Sequence, residues 1–274
     1  MATKVLYLGN GKWCYTKTCS QHQKLIQANE MLKKALVEKN ETAAAEAISI
    51  LTTTEEGKFA YYQTLASQFK KIHGRQPILG LDLDGTSADF THGLRWHMAT
   101  KDAIKIPREQ WEEKFPDPDE YDYHQGTNAW FKSREEFLTH FRAAEERGVY
   151  RELRVYDNVV ETTREFKEIG VEVKVVTARN AIFNEHTTEW LKNRPITFSK
   201  IENPGHRKED VEADVYFDDA PVVINRLIEH EKKVIIRSQA YNSSGQVTEN
   251  DQTIRVADWK EDVIGAMFKL LDRK

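Results

Sequence analysis

From residue 78 onward, short apolar runs alternate with amphipathic stretches. Ile78-Leu79-Gly80-Leu81 has no polar side chain, so it reads as a strand buried on both faces. The same rhythm predicts a helix over 158–169, stopped by Gly170, and a strand over 171–176. A helix over 185–192, a strand over 198–201 and a strand over 214–217 follow. Pro221 opens another helix, 233–236 is a further strand, and Asp258 with Glu261 caps a last helix carrying Val263, Met267 and Leu270. Strands separated by helices make a mainly parallel sheet, hence an α/β fold.

The rhythm is interrupted twice. Between about 90 and 155 come helical stretches rich in aromatics, broken by Pro107, Pro116 and Pro118. Ser133 with Glu136 opens one clear helix there, and Gly148 ends it. An insertion directly after the first strand lies over the strand tips, where a helical cap excludes water and contacts a ligand. Before residue 76 the pattern is different again. Val5, Tyr7, Trp13 and Tyr15 flank Asn10-Gly11 as a small hairpin over 4–16. Leu25, Ile26, Met31, Leu32, Ala35 and Leu36 then form a helical stripe, and a second helix runs through the alanines to about Leu51. Thr53 and Glu56 make a capping box for a third helix, with Phe59, Tyr62, Leu65 and Phe69 on its apolar side and Gly74 at its end. The expected organisation is an N-terminal hairpin plus helical module over 1–75, then one domain over 76–274 with its cap at about 90–155.

Charge supports that division. Residues 1–75 hold eleven Lys/Arg and six Glu, a net of +5; the whole chain carries −4, so the remainder carries −9. A charged fraction of 31% and the lack of a membrane-length apolar run point to no membrane partner. Two cysteines are too few for a disulfide scaffold, and no signal-peptide layout opens the chain, so a cytoplasmic location is expected. Cys14, Cys19 and His22 have the spacing of a partial zinc site, with His73 as the candidate fourth ligand; two inert thiols are the alternative.

The chemistry gathers at strand ends. Asp82 and Asp84 follow the first strand one residue apart, and Gly85 permits a sharp turn. Two carboxylates held so close repel, and a divalent cation relieves the repulsion. Thr177 and Asp218-Asp219 close two other strands, and Lys208 stands in a loop. Parallel strands deliver their C-terminal ends to one edge of a sheet, so four carboxylates, a hydroxyl and an ammonium converge there. Such a set suits Mg2+ and a phosphoryl group: the carboxylates hold the cation, while Lys208 and Thr177 bind phosphoryl oxygens.

With those positions in place, the chain resembles a haloacid dehalogenase (HAD) superfamily phosphatase, most closely the 5'(3')-deoxyribonucleotidase family. The likeness rests on Asp82-Leu83-Asp84-Gly85-Thr86-Ser87-Ala88-Asp89-Phe90, the strand ending in Thr177, Lys208 ten residues before Asp218, and Asp214-Val215-Tyr216-Phe217-Asp218-Asp219. It implies a Rossmann-like HAD core with a helical cap. It also implies a Mg2+-dependent nucleotidase acting on nucleoside monophosphates, with Asp82 as nucleophile and Asp84 as acid and then base. Asp82, the main-chain carbonyl of Asp84 and Asp218 would bind the metal, with Asp219 assisting. Thr177 and Lys208 would hold the phosphate. Arg179 would reach the substrate or pair with a carboxylate. Phe90, Trp96, Trp130 and Phe131 would stack on a base or form the cap's own core. Residues 1–75 have no counterpart in that family pattern. Two other functions stay open: a nucleic-acid-end phosphatase gripping the backbone with its basic N-terminal module, and a phosphatase-fold interaction protein.

Overall fold

A computed structural model describes residues 6–7, 13–14, 20–102, 105–243 and 245–273. The chain forms two compact units: Met1–Gln76 with Glu168–Gly170, and the remainder.

In the first unit, Leu6–Tyr7 pairs antiparallel with Trp13–Cys14. Cys19 and the side chain of Cys14 lie outside the described residues, and the zinc expectation lies there with them. Three helices follow: Ser20–Glu38, Glu41–Leu51 and Glu55–His73. Leu25, Ala28, Leu32, Ala47 and Leu51 form their buried core. Ile26, part of the predicted stripe, is instead half exposed. The third helix starts one residue later than the sequence pattern suggests. Thr54 is its N-cap, accepting from the Gly57 N–H at 3.0 Å, while the Thr53 hydroxyl turns back to Ile50 O at 2.7 Å. Gly57 is required there, because a Cβ would collide with the Leu51 carbonyl. Gly74, with φ +75°, ends the helix in the left-handed conformation.

The second unit is built on a six-stranded sheet. Its strands are β1 (Ile78–Leu81), β2 (Glu172–Val176), β3 (Lys200–Glu202), β4 (Val215–Asp218), β5 (Val234–Arg237) and β6 (Thr253–Val256). The spatial order is β6-β5-β4-β1-β2-β3, with every neighbouring pair parallel. This is the doubly wound α/β arrangement, whose order reverses between β1 and β4. Every residue of β1, β4 and β5 is buried, as expected for strands covered on both faces. Most predicted bounds of this unit hold to within one residue, and three features depart further. β3 starts two residues later than predicted. β6 has no forerunner in the pattern, since its Arg255 interrupts the apolar run. The last helix, Val263–Asp272, is capped by Asp262, which accepts from Gly265 N at 2.6 Å; Asp258 instead accepts from Lys260 N in the turn before it.

The insertion after β1 is a helical cap on a two-stranded base. Ala88–Asp89 pairs antiparallel with Arg154–Val155, so the chain leaves and re-enters the core at one place. Between them lie helices Phe90–Thr100, Trp111–Lys114, Arg134–Glu146 and Val149–Glu152. Ser133 caps the third of these, accepting from Glu136 N at 3.2 Å. Gly148, with φ +87°, breaks the chain between the third and fourth.

Candidate active site

The reversal point of the sheet collects the acidic groups. β1 runs directly into Asp82, and β4, its neighbour, ends in Asp218 with Asp219 next. Oxygens of Asp82, Asp218 and Asp219 lie within 4.8 Å of one another, and all three residues are buried. Lys208, on a short turn at 208–210, reaches into this group. Its ammonium donates to Asp82 Oδ1 at 2.5 Å and Asp218 Oδ2 at 2.7 Å. The other oxygen of Asp218 accepts from the Ala220 N–H at 3.0 Å.

Asp219 is held from two sides. The Thr86 hydroxyl donates to Oδ1 at 2.6 Å, and the Tyr241 phenol donates to Oδ2 at 2.5 Å. Each oxygen keeps a second lone pair for a further ligand. Asn242 fixes the backbone beneath by donating to Asp219 O at 2.8 Å. Gly85 takes φ +85°, and a Cβ at that position would clash with the Asp219 carboxylate. The tight Asp-Gly-Thr turn is thus what lets β1 and β4 bring their carboxylates together.

The electrostatics are those of a site short of positive charge. Burial pushes the Asp82 carboxyl well up; Lys208 opposes this, and Asp218, Asp219 and Asp84 add to it. Burial, then Asp218, push Asp219 up to about 7 despite its two hydroxyl donors. Burial works against the charge of Lys208, but Asp218 and Asp82 overcome it and hold its pKa above the ordinary value. An all-oxygen donor set of this kind, with excess negative charge, fits a hard divalent cation.

Asp84 stands apart from that cluster. Its carboxylate faces Arg179, which donates from Nε to Oδ2 at 2.8 Å and from Nη2 to Oδ1 at 2.6 Å. Thr177 sits at the end of β2, beside β1, and its hydroxyl accepts from Arg179 N at 3.2 Å. The aromatics singled out from the sequence lie in the cap, in contact with one another and with arginines. Phe90 meets Phe141 edge-on at 5.7 Å, and Trp130 meets Tyr123 at 5.0 Å and Phe115 at 5.3 Å. Phe131 stacks on His140 at 5.3 Å, and Trp96 carries the guanidinium of Arg147 at 4.9 Å.

Several site residues carry no signal of their role in the sequence. Thr86 lies inside the Asp-x-Asp-Gly-Thr stretch, but nothing there points its hydroxyl at Asp219. Tyr241 and Asn242 follow β5, and tracing every strand to its C-terminal end finds them. Tyr121, from the cap, meets the Tyr241 ring edge-on at 5.5 Å. Tyr241 donates to Asp219, so this contact brings Tyr121, 40% exposed, within one side chain of the acidic group. No local pattern marks a lone loop tyrosine.

Known proteins share this sequence pattern. Residues 76–271 match the protein family described as "5' nucleotidase, deoxy (Pyrimidine), cytosolic type C protein". Over 115 residues the chain is 28% identical to a protein of Oceanobacillus iheyensis described as "Putative nucleotidase", covering 39% of this chain and 58% of that one. A Bacillus cereus protein with the same description is 27% identical over 110 residues, covering 37% and 55%. The chain therefore spans little more than half the length of these curated relatives. Among solved structures, a HAD hydrolase (family IA, variant 3) from Entamoeba histolytica superposes with a TM-score of 0.43 at 13% identity, over 72% of this chain and 99% of that one. A haloacid dehalogenase-like hydrolase from Streptococcus pneumoniae gives 0.42 at 14%, over 62% and 89%.

Proposed function

The chain belongs, through residues 76–271, to the cytosolic type C 5' nucleotidase family, and from that premise we propose that it is a divalent-metal-dependent phosphatase of (deoxy)nucleoside monophosphates working through an aspartyl-phosphate. The observation that carries the reading is the meeting of Asp82, Lys208, Asp218 and Asp219 at the reversal point of a parallel sheet.

Asp82 is the nucleophile. Its Oδ1 is held by Lys208, which orients the carboxylate. Attack on phosphorus forms the Asp82 O–P bond as the bond to the nucleoside oxygen breaks, and Asp84 supplies the proton to that oxygen. Asp84 then takes a proton from water, which attacks phosphorus and releases inorganic phosphate with Asp82 restored. Lys208 and the Thr177 hydroxyl offset charge on the phosphoryl oxygens. Asp82, Asp218, Asp219 and the main-chain carbonyl of Asp84 would hold the cation, Mg2+ by the all-oxygen chemistry of the set; when bound, it neutralises the carboxylates and the phosphoryl charge. The cap closes over this edge and supplies the substrate-facing wall, with Phe90, Trp96, Trp130, Phe131 and Tyr121 as its aromatic candidates.

The division into two compact units supports an organisation in which residues 1–75 form an accessory helical module and 76–274 a catalytic domain. No described helix is long and apolar enough to cross a membrane. The low cysteine count supports a cytoplasmic setting. The test is phosphate release from a panel of nucleoside 5'- and 3'-monophosphates, with Mg2+ and with chelator. Metal-dependent release from at least one of them is expected. No release from any, in the presence of metal, contradicts the reading.

A further inference from the structure

Arg179, like Lys208, is an enclosed cation at this edge of the sheet. Its side chain is 1% exposed, although the carboxylate that it holds is 26% exposed. Its Nε and Nη2 grip both oxygens of Asp84, and Nη1 donates to the Thr187 hydroxyl at 3.3 Å. The ring of Tyr150 lies 4.4 Å from the guanidinium carbon and that of Trp190 lies 5.3 Å from it. The backbone is fixed as well: Arg179 N donates to Thr177, and Arg179 O accepts from Asn203 at 2.8 Å. A guanidinium enclosed by two aromatic rings and a carboxylate has little surface left for a substrate.

The two rings tie it to the cap. Tyr150 lies on Val149–Glu152, inside the insertion, and its hydroxyl donates to Glu145 on the preceding cap helix at 2.8 Å. Trp190 belongs to the core helix Asn184–Lys192, and its indole N–H donates to Leu153 O, at the cap's base, at 2.9 Å. A partly exposed Asp side chain would ordinarily sample several rotamers. Here one rotamer is imposed by a bidentate partner, and that partner is stacked on a cap residue.

We propose that Arg179 is a positioning residue that fixes the carboxylate of Asp84, and that Tyr150 makes this position depend on the seating of the cap. The inference rests on the reading of Asp84 as proton donor to the leaving oxygen. Binding in the cap and proton delivery in the core are then linked through one side chain. The cap does more than exclude water: it places the group that protonates the leaving alcohol.

The experiment uses the full chain with Mg2+ and two substrates that differ in their need for that proton. A nucleoside monophosphate expels an alkoxide and needs protonation, whereas p-nitrophenyl phosphate expels a stable phenolate and needs little. Rapid-quench measurement of the first phosphoryl transfer isolates the step. A misplacement of about 1 Å costs about 100-fold. Arg179→Lys is therefore expected to slow transfer from the nucleotide about 100-fold and from p-nitrophenyl phosphate less than about 5-fold, with circular dichroism confirming the fold. Tyr150→Leu removes the ring but leaves every atom of the ion pair. It is expected to shift the ratio of the two rates the same way, and it decides the matter if Arg179→Lys does not fold. Equal losses on both substrates in a folded variant overturn the inference and leave the phosphatase reading standing. Wild-type protein inactive on both substrates overturns the reading and the inference together.

Discussion

Asp82 shows most clearly how one side chain reconciles fold and chemistry. It is buried beside two other carboxylates, with a single lysine shared between it and Asp218. Its raised pKa, caused first by burial, says that its charge is unwelcome in the metal-free protein. Asp82→Asn keeps the shape and removes the charge. In chelator the variant is expected to unfold at a temperature about 2–4 °C higher than the wild type, a gain of about 1 kcal/mol. Added Mg2+ should raise the midpoint of the wild type more than that of the variant. Phosphate release should fall by about 10⁴-fold or more, because a nucleophile acts with its partners as a unit. A variant less stable than the wild type in chelator would show that the Lys208 contact outweighs the repulsion.

Elements bring their own titration and capping behaviour. In the cap helix Phe90–Thr100, His97 is buried, and its Nδ1 lies 3.2 Å from Arg147 Nη1, an N–H donor, which requires a neutral ring. Burial first, then Arg147, lowers its pKa from 6.5 to about 4. His92, on the same helix, is also lowered to about 4, by burial and then by three arginines. Between those limits the unfolded chain binds protons that the folded chain refuses, so stability rises with pH across the window from 4 to 6.5 and is lost as pH falls through it. Thermal unfolding over that range should show the loss, and His97→Gln should reduce it. An unchanged slope in the variant would contradict this assignment. In the N-terminal unit, Thr54→Ala should cost about 1 kcal/mol by removing the cap of the third helix. Thr53→Ala should cost less, because its hydroxyl turns to Ile50 O instead of the helix N-terminus. Chemical unfolding of both variants separates the two threonines.

At the scale of the whole chain, what the sequence makes legible is what is local. β1 announces itself because Ile78–Leu81 is wholly apolar and runs straight into Asp-x-Asp-Gly-Thr. The βα rhythm predicts the parallel sheet, and parallel delivery of strand ends predicts that Asp82, Lys208, Asp218 and Asp219 meet. β6 escapes such a reading because its strand character comes from pairing with β5, not from its own alternation. For Arg179 the sequence offers two roles, reaching the substrate or pairing with a carboxylate, and only the fold shows the pairing and names Asp84 as the partner. Tyr121 and Tyr241 likewise become neighbours only through the cap. All these features depend on tertiary partners that a linear pattern does not specify. On the proposed mechanism, Asp82 itself carries the phosphoryl group during turnover. The most direct measurement is acid quench of protein turning over a nucleoside monophosphate with Mg2+, then borohydride trapping and peptide mass spectrometry. Reduction of an aspartyl-phosphate expels the phosphate and leaves homoserine, so homoserine is expected at position 82 of the wild type and absent from Asp82→Asn; turnover that leaves no homoserine, or leaves it at another aspartate, contradicts the proposed mechanism.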